Sequence, residues 1–169
     1  MNTSIAIIIP VFNLEKYIEE PLTSVINHTS LPYEIIVIDD GSSDNSDLIL
    51  NNFTKYPFFR KFRTTNRGCG EARNIGRTHA KSAYLYFLDG DDIINKDFIS
   101  DIRLTINKYN NPDMILFSGE TFSETPSLNK KFNLKFTLSG QFTRGSRLIS
   151  KLINKKEAME SEMKDSGID

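Results

Sequence analysis

Three carboxylates crowd into Asp89-Gly90-Asp91-Asp92, directly behind the apolar run Ala83–Leu88. Their mutual repulsion is unfavourable unless a cation or strong donors meet them. Oxygen ligands at i and i+2 of a turn suit Mg²⁺ or Mn²⁺, which shares its coordination with substrate phosphates. The competing reading is a solvated acidic turn. An EF-hand is excluded, because its loop with a closing Glu is absent. A second acidic pair, Asp39-Asp40, follows the run Glu34–Ile38 and precedes Gly41-Ser42-Ser43. Two such groups are costly to bury unless they are hydrogen-bonded or charge-compensated. A carboxylate here either accepts from the ring N–H or ribose hydroxyls of a nucleotide, or caps an ordinary turn.

Two further segments carry binding chemistry. Pro10-Val11-Phe12-Asn13 ends the first apolar run, where Pro10 suits a strand end. Phe12 either offers its flat face to a ring or belongs to the core. In Asn66-Arg67-Gly68-Cys69-Gly70-Glu71-Ala72-Arg73 the glycines allow close backbone approach before a helix N-terminus, a ready anion site. Arg73 then faces the strand ends or makes a surface ion pair. The segment is neither a dinucleotide-binding G-x-G-x-x-G, since Arg73 takes the third glycine position, nor a P-loop, since G-K-[ST] is missing. Cys69 has no matching His and Asp for a nucleophile, and His28 and His79 belong to no motif.

The elements that must position these residues alternate. Ile5–Val11, Glu34–Asp39, Phe59–Thr65, Ala83–Leu88 and Asp113–Phe117 read as strands. The first is apolar without alternation, as in a strand buried on both faces. Between them, Leu14–Ile26, Asp44–Tyr56, Glu71–Lys81 and Lys96–Tyr109 read as helices. Pro21 predicts a kink or a late start in the first. Asp44 is the expected N-cap of the second, with Asp47 in its first turn. The apolar stripe of the fourth is Ile99, Ile102, Ile106 and Tyr109. Strand–helix repetition implies an α/β fold with a mostly parallel sheet and helices on both faces. Such sheets bind ligands at the carboxyl ends of their strands, where all four segments stand. Gly119–Lys131 reads as a loop, Asn133–Arg144 as one or two short strands, and Ser146–Lys155 as a helix with Leu148, Ile149, Leu152 and Ile153 on one face. Residues 1–119 form the expected core, 120–155 a partial further segment and 156–169 a loose polar tail.

Composition sets the outer limits. The 169 residues are 38% hydrophobic and 25% charged, which suits one ordinary globular domain. The 21 Lys and Arg nearly balance 22 Asp and Glu, which argues against nucleic acid as a partner. One cysteine excludes an internal disulfide and suits a reducing compartment. The run Ile5–Phe12 is a poor signal peptide and too short to span a bilayer. The N-x-[ST] triplets at Asn2, Asn27 and Asn52 therefore read as chance. The expected location is cytoplasmic, with at most peripheral docking at the inner face of a membrane.

In this order, strand-PVFN, strand-IDDGSSDNS, NRGCGEARNIG and strand-FLDGDD resemble family 2 glycosyltransferases of the GT-A (Rossmann-like) fold, over Ser4 to Gly119. The resemblance implies that the segment Pro10, Val11, Phe12, Asn13 lines the nucleotide, with Phe12 near base or ribose. It implies that Glu15 matches an acidic position just after that segment. It places Asp40 on the pyrimidine ring with Asp39 beside it, and Gly68 and Arg73 near the nucleotide or its phosphates. Asp89-Gly90-Asp91 corresponds to the D-x-D element that holds ribose and a divalent metal, Mg or Mn. Asp91 is favoured as the metal ligand, then Asp92, with Asp89 in the same set. The donor is expected to be a nucleotide-diphosphate sugar, a UDP-sugar foremost, and the acceptor a saccharide or a lipid-linked molecule. The reaction implied is inverting transfer to an acceptor hydroxyl.

The sequence departs from the family beyond the fifth strand. The family's general base is an acid well downstream of the D-x-D, and 77 residues follow Asp92. Glu160, Glu162 and Asp165 do not match its motif in context and are not assigned. The acceptor side is expected to be truncated, and the alternative function is a non-catalytic nucleotide or nucleotide-sugar binding module lacking the base. A phospho-acceptor receiver domain is disfavoured, because its acidic pair follows the first strand, which here ends in PVFN.

Overall fold

The computed structural model describes residues 3–117, 119–121, 130–132 and 147–150. Its core is a parallel sheet. Four strands form one side: β1 (Ile5–Val11), β2 (Glu34–Asp39), β3 (Phe59–Arg63) and β4 (Tyr84–Phe87). β5 (Met114–Leu116) closes the other edge. A strand from beyond residue 119, Arg147–Ser150, lies between β4 and β5 and is parallel to both. With β6 (Gly119–Thr121) and β7 (Lys130–Phe132) forming an antiparallel pair, that strand is β8. The order across the sheet is β3-β2-β1-β4-β8-β5.

Alternation along β1 explains the layers. Ile5, Ile7, Ile9 and Val11 point to one face, with Ile35 and Val37 of β2. They pack against α1 (Glu19–Ile26) through Leu22 and Val25, α2 (Ser46–Asn51) through Leu50, and α4 (Phe98–Lys108) through Ile99, Ile102 and Ile106. Ala6, Ile8, Ile36 and Ile38 point to the other face, which α3 (Cys69–His79) covers. Every β1 residue is buried, as a strand sandwiched between helical layers requires. The expected α/β class, with a parallel sheet and helices on both faces, is what the chain forms.

Several expected boundaries move, each for a local reason. α1 starts late, as Pro21 predicts. The N–H groups of Tyr17 and Ile18 first make a separate turn on the Leu14 carbonyl, and Pro21 sits in the opening turn, where no intrahelical donor is needed. α2 is shorter than expected and its N-cap is Asn45 rather than Asp44. The Asp44 carboxylate nonetheless accepts the Ser46 N–H at 3.0 Å. Tyr109 ends α4 as an exposed residue and does not join its buried stripe. Gly119–Lys131, read as loop, holds β6 and the start of β7. Residues 147–150, read as helical, form β8, because the gap between β4 and β5 offers a ladder on both sides. The expected strands at Asn133–Arg144 and the tail 156–169 lie outside the described residues.

α3 lies so close to the sheet that a Cβ on Gly76 would come within 2.3 Å of Ile8 Cγ2. Ile8 is fully buried, so the contact has no room to relax. Gly76→Ala is therefore expected to lower stability by about 1–3 kcal/mol in urea denaturation, despite alanine's better helix propensity.

Candidate functional site

The carboxyl ends of β1, β2 and β4 and the start of α3 enclose a cleft of about 310 Å³. Its wall comprises Pro10, Val11, Phe12 and Leu14 from one side, Asp40 from the floor, Asn66, Gly68, Cys69 and Arg73 around α3, and Asp89, Gly90 and Asp91 after β4. Nine of the thirteen residues expected from sequence stand here. Asn13, Glu15, Asp39 and Asp92 do not. The cleft adds Leu14, Asn66 and Cys69 to these; the sequence signal for them is their place beside PVFN or within NRGCGEARNIG.

The floor is made of satisfied charge. Asp39 is fully buried; its Oδ1 accepts the Ser42 N–H at 2.8 Å and its Oδ2 accepts Arg63 Nη1 at 2.9 Å. Arg63 also donates Nη2 to the Ser42 carbonyl at 2.7 Å. Asp39 is thus a scaffold group. Asp40 is 3% exposed. Its Oδ1 accepts the Thr64 hydroxyl and the Arg67 N–H at 2.8 Å, and its Oδ2 accepts the Gly68 N–H at 2.7 Å. Burial works against ionising Asp40; the Thr64 hydroxyl and the two amides outweigh it and hold the carboxyl below its usual range.

A lattice of hydrogen bonds ties the loop after β1 to the turn after β2. Asn13 N–H donates to Ser42 Oγ at 3.0 Å, Leu14 N–H to Ser46 Oγ at 2.9 Å, and Glu15 N–H to Asp44 Oδ2 at 2.9 Å. In return, Asn13 Oδ1 accepts the Ser43 N–H, and Glu15 Oε2 accepts the Asn45 N–H and side-chain amide. Asn13 and Glu15 hold the neighbouring turn from outside the cleft. Burial opposes ionisation of Asp44 too, and donors from Ser46 and Glu15 overcome it.

The walls are different in kind. Phe12 is 44% exposed, so its ring is an apolar plate at the cleft and not part of the core. Gly90 brings the end of β4 against that loop: a Cβ there would lie 2.5 Å from Leu14 Cδ1 and 3.1 Å from the Pro10 carbonyl. Arg73 Nη2 forms an ion pair with Asp89 Oδ1, both side chains being partly exposed. Asp91 is exposed and has no ion-pair partner among the described residues. Gly68, at φ +90°, opens α3 as its N-cap, and the exposed thiol of Cys69 follows.

Among the described residues, no three His, Cys, Asp or Glu side chains stand close enough to hold a metal alone. Exposed Asp91 and Asp89 fit the other arrangement, in which one or two carboxylates share a cation with substrate phosphates. Convergence of an apolar plate, a fixed acceptor, a cation and exposed acids suits a ligand with a ring at one end and an anion at the other.

The glycosyl transferase family 2 model matches residues 6–157. Poly(ribitol-phosphate) beta-N-acetylglucosaminyltransferase TarP of Staphylococcus aureus is 35% identical over 117 residues, which are 66% of this chain and 35% of that protein. Glycosyltransferase GlyA of Streptococcus pneumoniae is 30% identical over 129 residues, 76% of this chain and 18% of that protein. The chain thus spans a minor part of the length of the curated relatives it matches. The crystal structure of S. aureus TarS 1-349 in complex with UDP-GlcNAc superimposes with a TM-score of 0.64 at 27% identity. That match covers 69% of this chain and 35% of that one.

Asp40, Asp44 and Asp47 all have carboxyls lowered from 3.8, Asp47 chiefly through its hydrogen bond from Lys61. Such groups stabilise the fold above the unfolded value and lose that contribution progressively as pH falls from there through the lower folded value. The urea midpoint should hold steady down to about pH 5 and drop below about pH 4. Asp44→Asn should cost about 1 kcal/mol at pH 7, and the gap to wild type should shrink in acid.

Proposed function

This chain belongs to glycosyl transferase family 2, and from that membership we propose that its cleft binds a nucleotide-diphosphate sugar, a UDP-sugar foremost, as the donor in transfer to an acceptor hydroxyl. The observation that carries this reading is the two-ended cleft, with a buried charged acceptor at the base end and exposed acids beside Arg73 at the other. The UDP-GlcNAc complex of the related TarS structure supports uracil as the base.

Each wall then has a task. Phe12 packs its ring against the base or ribose. Asp40, held ionised, accepts a ring N–H. The Gly68 amide is held by Asp40, so the amides of the first turn of α3, from Cys69 on, are the ones left for the anion, helped by the helix dipole. Arg73 exchanges Asp89 for a phosphate oxygen, a charge-assisted bond of similar geometry. Asp89 is thereby released toward the ribose, and Asp91 foremost, with Asp92 and Asp89, would hold a divalent cation. A bound Mg²⁺ or Mn²⁺ would neutralise the diphosphate as it leaves. The acceptor hydroxyl, on a saccharide or lipid-linked molecule, would attack from the face opposite the diphosphate as the sugar–diphosphate bond breaks, inverting the anomeric centre, and its proton would pass to a carboxylate base to which no described residue is assigned.

Calorimetric titration with UDP tests this reading. Wild type should bind UDP with Mn²⁺ and lose most of the affinity in EDTA. Asp91→Ala should lose the Mn²⁺-dependent component, roughly ten-fold or more. UDP binding that ignores both EDTA and Asp91→Ala would remove the cation from the proposal. Arg73→Ala should weaken UDP roughly ten-fold while leaving uridine unchanged, because uridine has no phosphate to lose.

A further inference from the structure

Asp40 offers about four acceptor positions on two oxygens. Oδ1 takes two donors, from Thr64 Oγ1 and Arg67 N, whereas Oδ2 takes one, from Gly68 N. The open acceptor capacity of this cleft residue is therefore concentrated on Oδ2. Of the three donors, only Thr64 uses a side chain; the others are amides of the exposed loop that opens α3. Thr64 is the residue after β3, and its own N–H donates to the Asp39 carbonyl at 2.8 Å. Its hydroxyl is thus anchored to the sheet, while the two amides belong to a surface loop.

We propose that Thr64 is the positioning residue for base recognition: by saturating Oδ1 of Asp40 from the sheet, it presents Oδ2 as a charged acceptor for a ring N–H. This rests on reading the cleft as a nucleotide site. Recognition follows from the donor pattern. Uracil offers a donor at N3, which pairs with a carboxylate. Cytosine offers a lone pair there, which a carboxylate repels and to which a protonated carboxyl donates its O–H. The preference for uracil over cytosine therefore requires that Asp40 stay ionised. Burial alone pushes the other way, and the Thr64 hydroxyl is the largest of the influences that oppose it. The other charges around Asp40 are Arg67 of the loop, Arg73 of α3, Asp39 with its partner Arg63, and Asp89 and Asp91 across the cleft. None of them makes a side-chain bond to Asp40.

The test compares wild type, Thr64→Val and Thr64→Ser in the full chain, after circular dichroism and melting establish that all three fold. The Asp40 carboxyl is titrated by carbon NMR without nucleotide. UDP and CDP affinities are measured from pH 5 to pH 8 in the presence of Mn²⁺. Thr64→Val should move the Asp40 titration upward, weaken UDP roughly ten-fold, and narrow the UDP-to-CDP ratio, most at low pH. Thr64→Ser, which keeps the hydroxyl, should restore all three. An Asp40 titration unmoved in Thr64→Val, or an unchanged UDP-to-CDP ratio, would overturn the role of Thr64. Failure of wild type to bind UDP would instead overturn the cleft reading and base recognition with it, while the NMR titration still decides whether Thr64 governs Asp40.

Discussion

Two carboxylates kept charged inside a sheet that is apolar on both faces are the constraint on which this structure turns. Asp39 ends β2 and Asp40 follows it, at 0% and 3% exposure. An uncompensated charge at such depth costs several kcal/mol. The chain meets that cost by wrapping three segments around the pair. Arg63 comes from β3, Ser42 from the following turn, and Thr64 to Gly68 from the loop before α3. Once these bonds form, the turn after β2 and the entry to α3 have one low-energy arrangement, because each donor left unmade strands a buried oxygen. The floor of the cleft is thus preformed by the same interactions that make the fold possible at this point.

The fold was legible wherever apolar patterning alone determines an element. Ile5–Val11 and Glu34–Asp39 match the structure residue for residue, because the unbroken apolar run in each suits a strand between two helical layers. The stripe Ile99, Ile102, Ile106 is likewise buried as its spacing requires. Reading failed where partners decide. Leu148 and Ile149 form adjacent apolar pairs with helical spacing to Leu152 and Ile153, a pattern that fits either a helix or a buried strand. The vacancy between β4 and β5 settles it, and that vacancy is a property of the sheet, not of the segment.

The site divides in the same way. Acidic residues behind apolar runs, glycines before a helix and an aromatic after a strand are local patterns, and they led to nine cleft residues. The bonds that hold them are not local. Ser42, Ser46 and Asp44 receive donors from a loop about thirty residues earlier, and Thr64 reaches back to Asp40 across 24 positions. Serine and threonine are common, and no periodicity marks the ones that meet. Glu15 shows the limit well. Its position beside the first motif is suggestive of ligand contact, and its carboxylate is spent on Asn45.

Four aspartates at the strand ends, Asp39, Asp40, Asp89 and Asp91, consequently serve opposite purposes, and burial separates them. Asp39 and Asp40 are enclosed, and every one of their carboxylate oxygens meets a protein donor, with acceptor capacity left on Asp40 Oδ2 at the cleft. Asp89 and Asp91 stand in solvent, and among the described residues the Asp89 carboxylate pairs with Arg73, a partner that is itself partly exposed. An exposed ion pair of this kind contributes little to stability, about 0–1 kcal/mol. It is therefore cheap to exchange, whereas the bonds to Asp39 and Asp40 are not. A cleft that must recognise a base by fixed geometry, yet accept and release a charged diphosphate, needs that asymmetry: one end rigid because it is buried, the other responsive because it is wet.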